Sequence, residues 1–463
     1  MDAIEPAISP GGRGAATRPE LPDADASHDR IVAELAAQLR ARDGQPAHIE
    51  KGGVHHFVPL PGDRRFGGRA VDVSRLNRIL AIDPQRRRCV AEPGVTFGEL
   101  ARATLRHGLL PTVVPELEGI TVGGAVAGCS VESMSWRYGG FHDSCDEYEL
   151  VSGSGEVLTV SPAREPQLFH RLHGSYGTLA ILTRLSFGLV PAAPYVRMEY
   201  RRFSTIEGFE AELRARIAAG DCPFIDGIVH APDELVLCLG SFADQAPYVS
   251  DYRWLDIYYK STRTRGEDYL RTIDYCFRYD TECHWLTRTV PPLEWKPVRF
   301  AVGKLFLGST NLIRWSQRLA PLLGLKKRPD VVVDVFVPSR RLRDFFEWYR
   351  HGLAFYPLWL VPYRIPTPYP WIAPSHAAGF ADELFIDCAV YGKRNGDPAV
   401  DWSQALEEKT YELGGIKTLI SRNHHTPERF WQIYDKPGYD AAKARLDPHG
   451  RFRSLYEKFH RGA

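Results

Sequence analysis

The chain has 463 residues, too long for a single compact core, and its length predicts two or three domains. Hydrophobic residues make up 44% and charged residues 25%, as in ordinary globular proteins, and a formal net charge of +1 argues against a nucleic-acid partner. The eight cysteines form no CxxC pair and no zinc-like spacing, which predicts free thiols and no metal site.

The N-terminal segment, residues 1–27, is rich in Pro, Gly, Ala and Asp, and we expect it to be disordered. It has no basic stretch followed by an apolar core, and no apolar run in the chain is long enough to span a membrane. A cytoplasmic location is therefore expected. Ser27 is predicted to cap a helix whose apolar stripe contains Ile31, Leu35 and Leu39.

From residue 47 to about 194, strand and helix signals alternate. Arg88–Ala91 is strand-like, and Thr96 and Glu99 form a capping box that begins a short helix ending near Gly108. Two extended runs joined by a glycine-rich turn predict a hairpin: Tyr148–Ser152 and Glu156–Val160. This mixture is typical of an α+β domain rather than of a doubly wound sheet.

From about residue 195 to 434 the chain is rich in aromatic residues. Three runs predict strands: Glu234–Cys238, Val331–Val337 and Leu384–Val390. Leu342–Tyr349 predicts a helix, and a last short helix is expected within Tyr439–Phe452.

The strongest local signal is Pro115–Gly128, which reads PELEGITVGGAVAG. Its small residues would let backbone N–H groups approach a diphosphate closely. From the glycines alone, a tight turn packed in a core is the more frequent explanation. Neither a Walker loop nor the dinucleotide motif G-x-G-x-x-G occurs here.

Two further glycine-containing segments complete the pattern. Lys51–His56 (KGGVHH) follows a probable strand and could form the other half of a phosphate site, and Gly174–Thr183 leads from a turn into an apolar strand. In order, four motifs resemble the FAD-binding domain of the vanillyl-alcohol oxidase (PCMH-type) class: Gly52-Gly53, Val90–Leu100, Thr121–Gly124 and Ser175–Thr183. The tail Lys443–Phe452 (KARLDPHGRF) is similar to the closing segment of that class.

Within that class, the chain resembles Δ24-sterol reductases over about residues 45 to 455. The resemblance rests on a set of motifs: PELEGITVGGAVAG, Val131-Glu132-Ser133, Tyr138-Gly139, Tyr148–Val151, Tyr356–Leu360, Glu383–Asp387 and Glu428–Trp431. Arg278–Thr281 looks like bacterial reductases of methylene-branched acyl chains.

The resemblance implies an α+β fold with a two-subdomain FAD-binding domain and a substrate (cap) domain built on an antiparallel sheet. The implied domains are a tail at 1–27, the FAD-binding domain at 28–195, the substrate domain at 196–438, and a segment at 439–463 that returns to the FAD domain.

The resemblance also implies non-covalent FAD, since sterol reductases give no support for a histidine tether at His55, with NADPH as hydride donor. The implied FAD-binding residues are Gly52, Gly53, Val54, His55, Pro115, Thr121, Val122, Gly123, Gly124, Gly128, Glu132, Ser133, Gly177, Thr178 and Ile181.

The implied reaction is reduction of a carbon–carbon double bond, with hydride from flavin N5 and a proton from a buried acid. An isolated alkene does not accept hydride unless a general acid protonates the other carbon. The candidate acids are Glu116, Asp280 and His284, although each is as readily a structural hydrogen-bonding residue.

The apolar run Phe355–Tyr363 is either a wall for a lipid chain or a buried core strand. The expected substrate is a lipid-like alkene: a sterol, an isoprenoid or a methylene-branched acyl chain. Transient membrane contact is compatible with it. The alternatives are an FAD-dependent oxidase or dehydrogenase of an alcohol on the same fold, and a non-catalytic lipid-binding protein.

Overall fold

The computed structural model describes residues 22–41, 46–51, 65, 67–289, 291–311, 331–380, 383–397 and 399–460. We call the N-terminal half, for which the resemblance predicts FAD binding, the FAD-binding half. It contains a small parallel pair, β1 (Ala47–Glu50) with β2 (Arg69–Asp72). It also contains an antiparallel six-stranded sheet in the order β3-β4-β8-β6-β7, with β5 paired to β8. These strands are β3 (Ile79–Asp83), β4 (Arg88–Ala91), β5 (Leu109–Pro111), β6 (Cys145–Ser152), β7 (Val157–Val160) and β8 (Ala180–Pro191).

The second half is built on an antiparallel eight-stranded sheet in the order β12-β9-β11-β10-β14-β15-β13-β16. Its strands are β9 (Tyr195–Phe203), β10 (Phe224–Ala231), β11 (Glu234–Ala243), β12 (Glu267–Arg271), β13 (Val331–Pro338), β14 (Leu358–Arg364), β15 (Leu384–Lys393) and β16 (Ile416–Lys417). The predicted α+β class with an antiparallel cap sheet is confirmed.

Helices connect and cover these sheets. The α-helices within the described ranges are α1 (Pro22–Arg40), α2 (Phe97–Leu105), α3 (Val122–Gly128), α4 (Ser135–Tyr138), α5 (Pro166–Arg171), α6 (Ile206–Ala219), α7 (Tyr258–Ser261), α8 (Thr272–Cys276), α9 (Lys296–Phe306), α10 (Leu342–His351), α11 (Pro374–Ala377), α12 (Trp402–Glu412), α13 (Pro427–Ile433), α14 (Lys436–Leu446) and α15 (Leu455–Phe459).

The two faces of the eight-stranded sheet contact different partners because side chains alternate along a strand. One face, which includes Val333, Val335 and Ile386, forms a core with α6 and α10. The other face, which we call the inner face, includes Trp359, Val361 and Ala389 and joins the core of the FAD-binding half. A site between the two halves therefore uses inner-face residues.

The beginning of the chain differs from the sequence expectation. Helix α1 begins at Pro22, a favoured first helical residue because its ring fixes φ and it lacks an N–H, so Ser27 lies inside the helix and does not cap it. The expected disordered tail is thus wrong for residues 22–27, while residues 1–21 lie outside the described part. Ile31, Leu35 and Leu39 are buried as predicted.

The other predicted elements are present: the strand at Arg88–Ala91, the Thr96–Glu99 capping box, the β6–β7 hairpin, β11, β13, β15 and α10. All eight cysteines are free thiols, as predicted. No helix in the described ranges is long and apolar enough to cross a bilayer.

Candidate functional site

A cleft opens between the inner face of the large sheet and the FAD-binding half. Its FAD-side lining consists of small residues and one tyrosine: Gly128, Cys129, Gly174 and Tyr176. The opposite lining is mostly aromatic or aliphatic: Phe336, Tyr363, Ile365, Tyr369, Trp371, Phe385, Ile416, Lys417, Thr418 and Tyr434. The side with mostly small residues and the aromatic side opposite it suit a flat, largely apolar ring system.

Thr121 begins α3, and its hydroxyl accepts a hydrogen bond from Gly124 N–H at 3.3 Å. The same oxygen accepts a bond from Lys51 Nζ at 3.3 Å. Burial lowers the pKa of Lys51 to about 8. The arrangement places an ammonium group beside the glycine turn, where it would suit an anionic ligand. Sequence reasoning did not single out Lys51, although it directly precedes the Gly52-Gly53 pair.

Gly123 packs closely against Pro93. A Cβ on Gly123 would lie 2.5 Å from Pro93 Cβ, and Gly123 N–H donates to Pro93 O at 2.9 Å. This glycine is therefore needed for close packing of two backbone turns, and its place among the FAD-binding residues stays a prediction. A Cβ on Gly124 would lie 3.1 Å from Thr121 Oγ1 and 3.3 Å from Lys51 Nζ, so Gly124 is the glycine beside the ammonium group.

The remaining predicted FAD-binding residues differ in where they lie relative to the cleft. Gly52, Gly53, Val54 and His55 lie outside the described residues. Gly128 lines the cleft, whereas Val122 and Ile181 are buried in hydrophobic cores and Pro115 is buried.

Gly177 and Thr178 have structural environments of their own. Gly177 has a φ of +68°, and a Cβ there would lie 2.7 Å from Ile49 Cδ1. The Thr178 hydroxyl donates to Ser175 O at 2.7 Å, while its carbonyl accepts from Lys443 Nζ at 2.6 Å. These two residues shape the strip next to Tyr176.

Glu132 and Ser133 belong to a buried charge cluster that joins the two halves. Arg278 Nη2 donates to Glu132 Oε1 at 2.7 Å and to Asp226 Oδ2 at 3.2 Å. Burial raises the pKa of Glu132, although the Arg278 charge opposes that rise. Ser133 Oγ lies 3.0 Å from Tyr275 OH. Arg278 thus forms a buried internal ion pair with Glu132 and Asp226.

Of the three candidate acids, the structure brings two together. His284 Nδ1 lies 3.4 Å from Glu116 Oε1, and both residues are buried. Burial lowers the pKa of His284, which favours the neutral ring. Asp280 lies apart from this pair, where its carboxylate accepts from Glu118 N–H at 3.0 Å and Ser309 N–H at 3.2 Å. Its bonds connect two loops, a structural role.

Two inner-face carboxyls near Glu116 were missed by sequence reasoning. Asp334 accepts a hydrogen bond from Tyr391 OH, and burial raises its pKa to about 7. Asp387 is 2% exposed, and its Oδ1 has no hydrogen-bond partner among the described residues. Burial raises the pKa of Asp387 well above its usual range, and the neighbouring Asp334 and Glu116 add to the rise. The signal was an aspartate in the apolar strand run LFID.

The run Phe355–Tyr363 is mainly core, as the second interpretation held. Trp359 is 2% exposed, and its Nε1 donates to Asp226 Oδ2 at 2.8 Å. Of this run, only Tyr363 is among the cleft-lining residues, and its hydroxyl donates to Tyr369 OH at 2.5 Å. The apolar side of the cleft is therefore formed by Phe336, Phe385 and the other lining residues named above, and not by the run Phe355–Tyr363.

Residues 32–161 match the family model described as an FAD binding domain, and this match identifies the protein as a flavoprotein. The residues present fit the cofactor, since Lys51 lies beside the Thr121–Gly124 turn and the cleft has one side made of Gly128 and Gly174.

More particularly, the chain is similar over most of its length to Delta(24)-sterol reductases. It is 27% identical to the Homo sapiens protein, over 83% of this chain and 76% of that one. It is 25% identical to the Arabidopsis thaliana protein, over 94% and 85% of the two chains. Cytokinin dehydrogenase 2 of Oryza sativa subsp. japonica is 27% identical over 44% of this chain and 39% of its own. These findings confirm the resemblance inferred from the motifs, and with it an FAD-dependent oxidoreductase.

Proposed function

We propose that the protein is an FAD-dependent, NAD(P)H-linked reductase of a carbon–carbon double bond in a lipid-like molecule. The observation that carries this proposal is the apolar, aromatic-lined cleft next to the buried carboxyls Glu116 and Asp387 and the half-buried Asp334. The similarity to Delta(24)-sterol reductases along most of the chain supports the same reaction. A polar alcohol or sugar would find few hydrogen-bond partners on this lining.

The proposed division of work assigns each half of the chain a task. Residues 28–195 and 439–463 bind FAD, with Thr121, Gly124 and Lys51 at the diphosphate and Gly128 and Gly174 beside the ring. Residues 196–438 hold the substrate against Phe336 and Phe385 and exclude water. When bound, the flavin supplies hydride at N5, and a buried acid of the chain supplies the proton.

Burial of a lipid chain in the cleft would supply much of the binding energy. Apolar surface removed from water stabilises a complex by about 25 cal/mol per Å². The aromatic pair Tyr369 and Trp371 is stacked, with ring centroids 5.3 Å apart, so this part of the lining is rigid and loses little entropy on binding.

The test separates the two half-reactions. Purified holoenzyme is mixed anaerobically with NADPH or NADH while the flavin absorbance is followed. The reduced enzyme is then mixed with a sterol that has a side-chain double bond, an isoprenoid alkene or a methylene-branched fatty acyl chain. We expect reduction by NADPH and reoxidation by at least one of these alkenes. Reduced enzyme that reacts with none of them while losing its electrons rapidly to oxygen would contradict the proposal.

An oxidase or dehydrogenase of the same fold is the second candidate, favoured by the neutral His284 at 3.4 Å from Glu116, a pair able to accept a proton. Such an enzyme would reduce its flavin with an alcohol or amine rather than with a nicotinamide. Reduced flavin that persists in air favours the reductase, and rapid peroxide formation favours the oxidase.

A further inference from the structure

We propose that Asp387, on the inner face of the large sheet beside Phe385, is the proton donor to the alkene; this inference rests on the reductase function proposed above. Asp387 lies on β15, two residues beyond Phe385, and therefore points to the same face of the sheet. Its register partner on β13 is Phe336. Phe385 and Phe336 both line the cleft, and Asp387 lies beside them on the same face of the sheet.

The Asp387 carboxyl has a buried oxygen without a hydrogen-bond partner in the described ranges, a feature that it shares with Asp226 Oδ1 and Glu282 Oε2 but not with the acids closest to it. The Asp334 carboxylate accepts from Tyr391 OH, and Asp280 is held by two backbone N–H groups. Asp387 Oδ1 is fully enclosed and makes no hydrogen bond within the described part of the chain. A buried polar atom normally has a partner, and the exceptions require an explanation. A reacting group or a water that arrives with the substrate would provide that partner.

The surroundings keep a proton on this carboxyl. Asp387, Asp334 and Glu116 are close enough to interact, and carboxylates that share a low-dielectric site cannot all ionise together. Burial raises the pKa of Asp387, and the charges of Asp334 and Glu116 raise it further. His284, beside Glu116, is neutral because burial lowers its pKa, so it adds no compensating charge.

The chemistry balances with one hydride and one proton. As the alkene π bond breaks, Asp387 would give its proton to one carbon and become a carboxylate. The other carbon would receive the hydride that a bound, reduced flavin would supply, so that two new C–H bonds form and the flavin would be left oxidised. Solvent then returns a proton to the carboxylate before the next turnover, which its raised pKa favours.

Asp387→Asn tests the assignment, because an amide of the same shape cannot donate a proton of comparable acidity. We expect reduction of the flavin by NADPH to stay within twofold of wild type. Reoxidation of the reduced enzyme by the alkene probe that wild type accepts should slow by about 10²–10⁴-fold, the usual contribution of a general acid. Glu383→Gln, at an exposed position just before the same strand, is the control and should leave both half-reactions unchanged.

The outcomes separate this inference from the proposed function. If wild type reduces none of the alkene probes, the reductase function itself fails. If wild type reduces a probe and Asp387→Asn does so within twofold of that rate, Asp387 is not the donor and the reductase function stands. In the wild-type enzyme, the alkene-driven reoxidation should also slow in D₂O, because a proton is transferred in that step. The size of this solvent isotope effect should differ in Asp387→Asn, which has no proton of comparable acidity to transfer.

A second measurement does not depend on activity. A carboxyl with a raised pKa in the fold destabilises the folded state as pH rises from its unfolded pKa of about 3.9 toward the folded value, because only the unfolded chain ionises there. Asp387→Asn removes this loss. The melting temperature of the variant minus that of wild type should therefore become larger as the pH rises from 4.5 to 7. An ionised, structural Asp387 would have a pKa at or below about 3.9, so the difference between variant and wild type would stay constant from pH 4.5 to 7, and this result would overturn the assignment.

Discussion

Gly123 and Gly124 are adjacent in α3 but are glycines for different structural reasons. Gly123 allows the turn at Pro93 to approach the helix, whereas Gly124 lies beside Thr121 Oγ1 and Lys51 Nζ. The first is a packing requirement inside the FAD-binding half, and the second concerns the space in which we place the diphosphate. Substitution by alanine can separate the two effects, because it adds a single Cβ.

We predict that Gly123→Ala lowers the free energy of unfolding by about 1–3 kcal/mol, since a Cβ 2.5 Å from Pro93 Cβ must displace the backbone turn. Gly124→Ala should fold with nearly wild-type stability and bind FAD more weakly, because its Cβ displaces only the flexible Lys51 ammonium and the Thr121 hydroxyl. Thermal unfolding of the apoprotein and FAD titration measure the two effects. The same loss of stability in both variants would contradict this distinction.

Lys51 gives a pH-dependent prediction. Because burial lowers its pKa to about 8, the ammonium is fully charged below pH 7 and loses its proton above pH 8 in the FAD-free protein. FAD affinity should therefore fall as pH rises from 7 to 9.5. In Lys51→Met the affinity should be lower, at least tenfold at pH 7, and insensitive to pH over this range. Equilibrium titration by flavin fluorescence measures both; Lys436→Met, at an exposed site, should match wild type.

At the scale of single elements, β13 presents neighbouring residues to different parts of the protein. Phe336 points to the cleft, while Val335 is buried in the core formed with α6 and α10. The alternation of a strand thus provides a matched pair of substitutions one residue apart.

Phe336→Ala should raise the KM for the alkene about 10–100-fold, the equivalent of losing 1.5–3 kcal/mol of apolar burial. The rate of flavin reduction by NADPH should not change. Val335→Ala should lower stability by about 1–3 kcal/mol without changing the KM. Both variants are to be compared as FAD-containing protein, so that misfolding does not imitate a binding defect. An unchanged KM in Phe336→Ala would remove this face of β13 from the substrate site.

Helix α1 provides a second element-scale case, because a buried histidine joins it to the six-stranded sheet. His28 Nδ1 lies 2.9 Å from Glu92 Oε1, and its Nε2 lies 2.7 Å from Glu149 Oε1. Burial opposes the charged ring, but the hydrogen bonds and charges of the two glutamates outweigh it and raise the pKa of His28 to about 9.

A histidine whose pKa rises on folding stabilises the fold fully below its unfolded pKa of about 6.5, and this stabilisation is lost as pH rises through the folded value of about 9. We predict that the free energy of unfolding falls by up to about 3 kcal/mol between pH 6.5 and 9.5 through this group. His28→Gln should lose most of that slope. His351→Gln, at an exposed histidine, should retain it. Denaturant unfolding at both pH values makes the comparison.

The local patterns of the sequence were sufficient to predict the capping box of α2, the β6–β7 hairpin and the strands β11, β13 and β15, because each depends on residues close in sequence. They could not predict the grouping of Glu116, Asp334 and Asp387. Those carboxyls come together only when a loop of the FAD-binding half packs on two strands of the large sheet. The Pro93 contact of Gly123 was missed for the same reason.

At the scale of the whole molecule, the C-terminal segment connects the fold to the cleft. Asp447 is buried and its carboxylate accepts from Arg451 N–H at 2.7 Å, Phe452 N–H at 2.8 Å and Lys443 Nζ at 2.7 Å. Lys443 Nζ also donates to Thr178 O, and Lys458 Nζ donates to Tyr176 O at 2.7 Å. The C-terminal segment thus makes hydrogen bonds to the segment Gly174–Thr178, which contains the cleft residue Tyr176.

We predict that Asp447→Ala lowers the free energy of unfolding by about 3–5 kcal/mol, because two backbone N–H groups and an ammonium lose their common acceptor in a buried place. The folded fraction should also bind FAD more weakly, since the strip from Gly174 to Thr178 loses its support. Asp440→Ala, on an exposed face of the same helix, should change stability by less than about 0.5 kcal/mol and leave FAD binding intact. Thermal unfolding with and without added FAD distinguishes the two effects, because the stabilisation by a ligand grows with the logarithm of its concentration divided by its Kd. If Asp447→Ala is destabilised yet gains the same increment from FAD as wild type, the C-terminal segment supports the fold alone and not the flavin site.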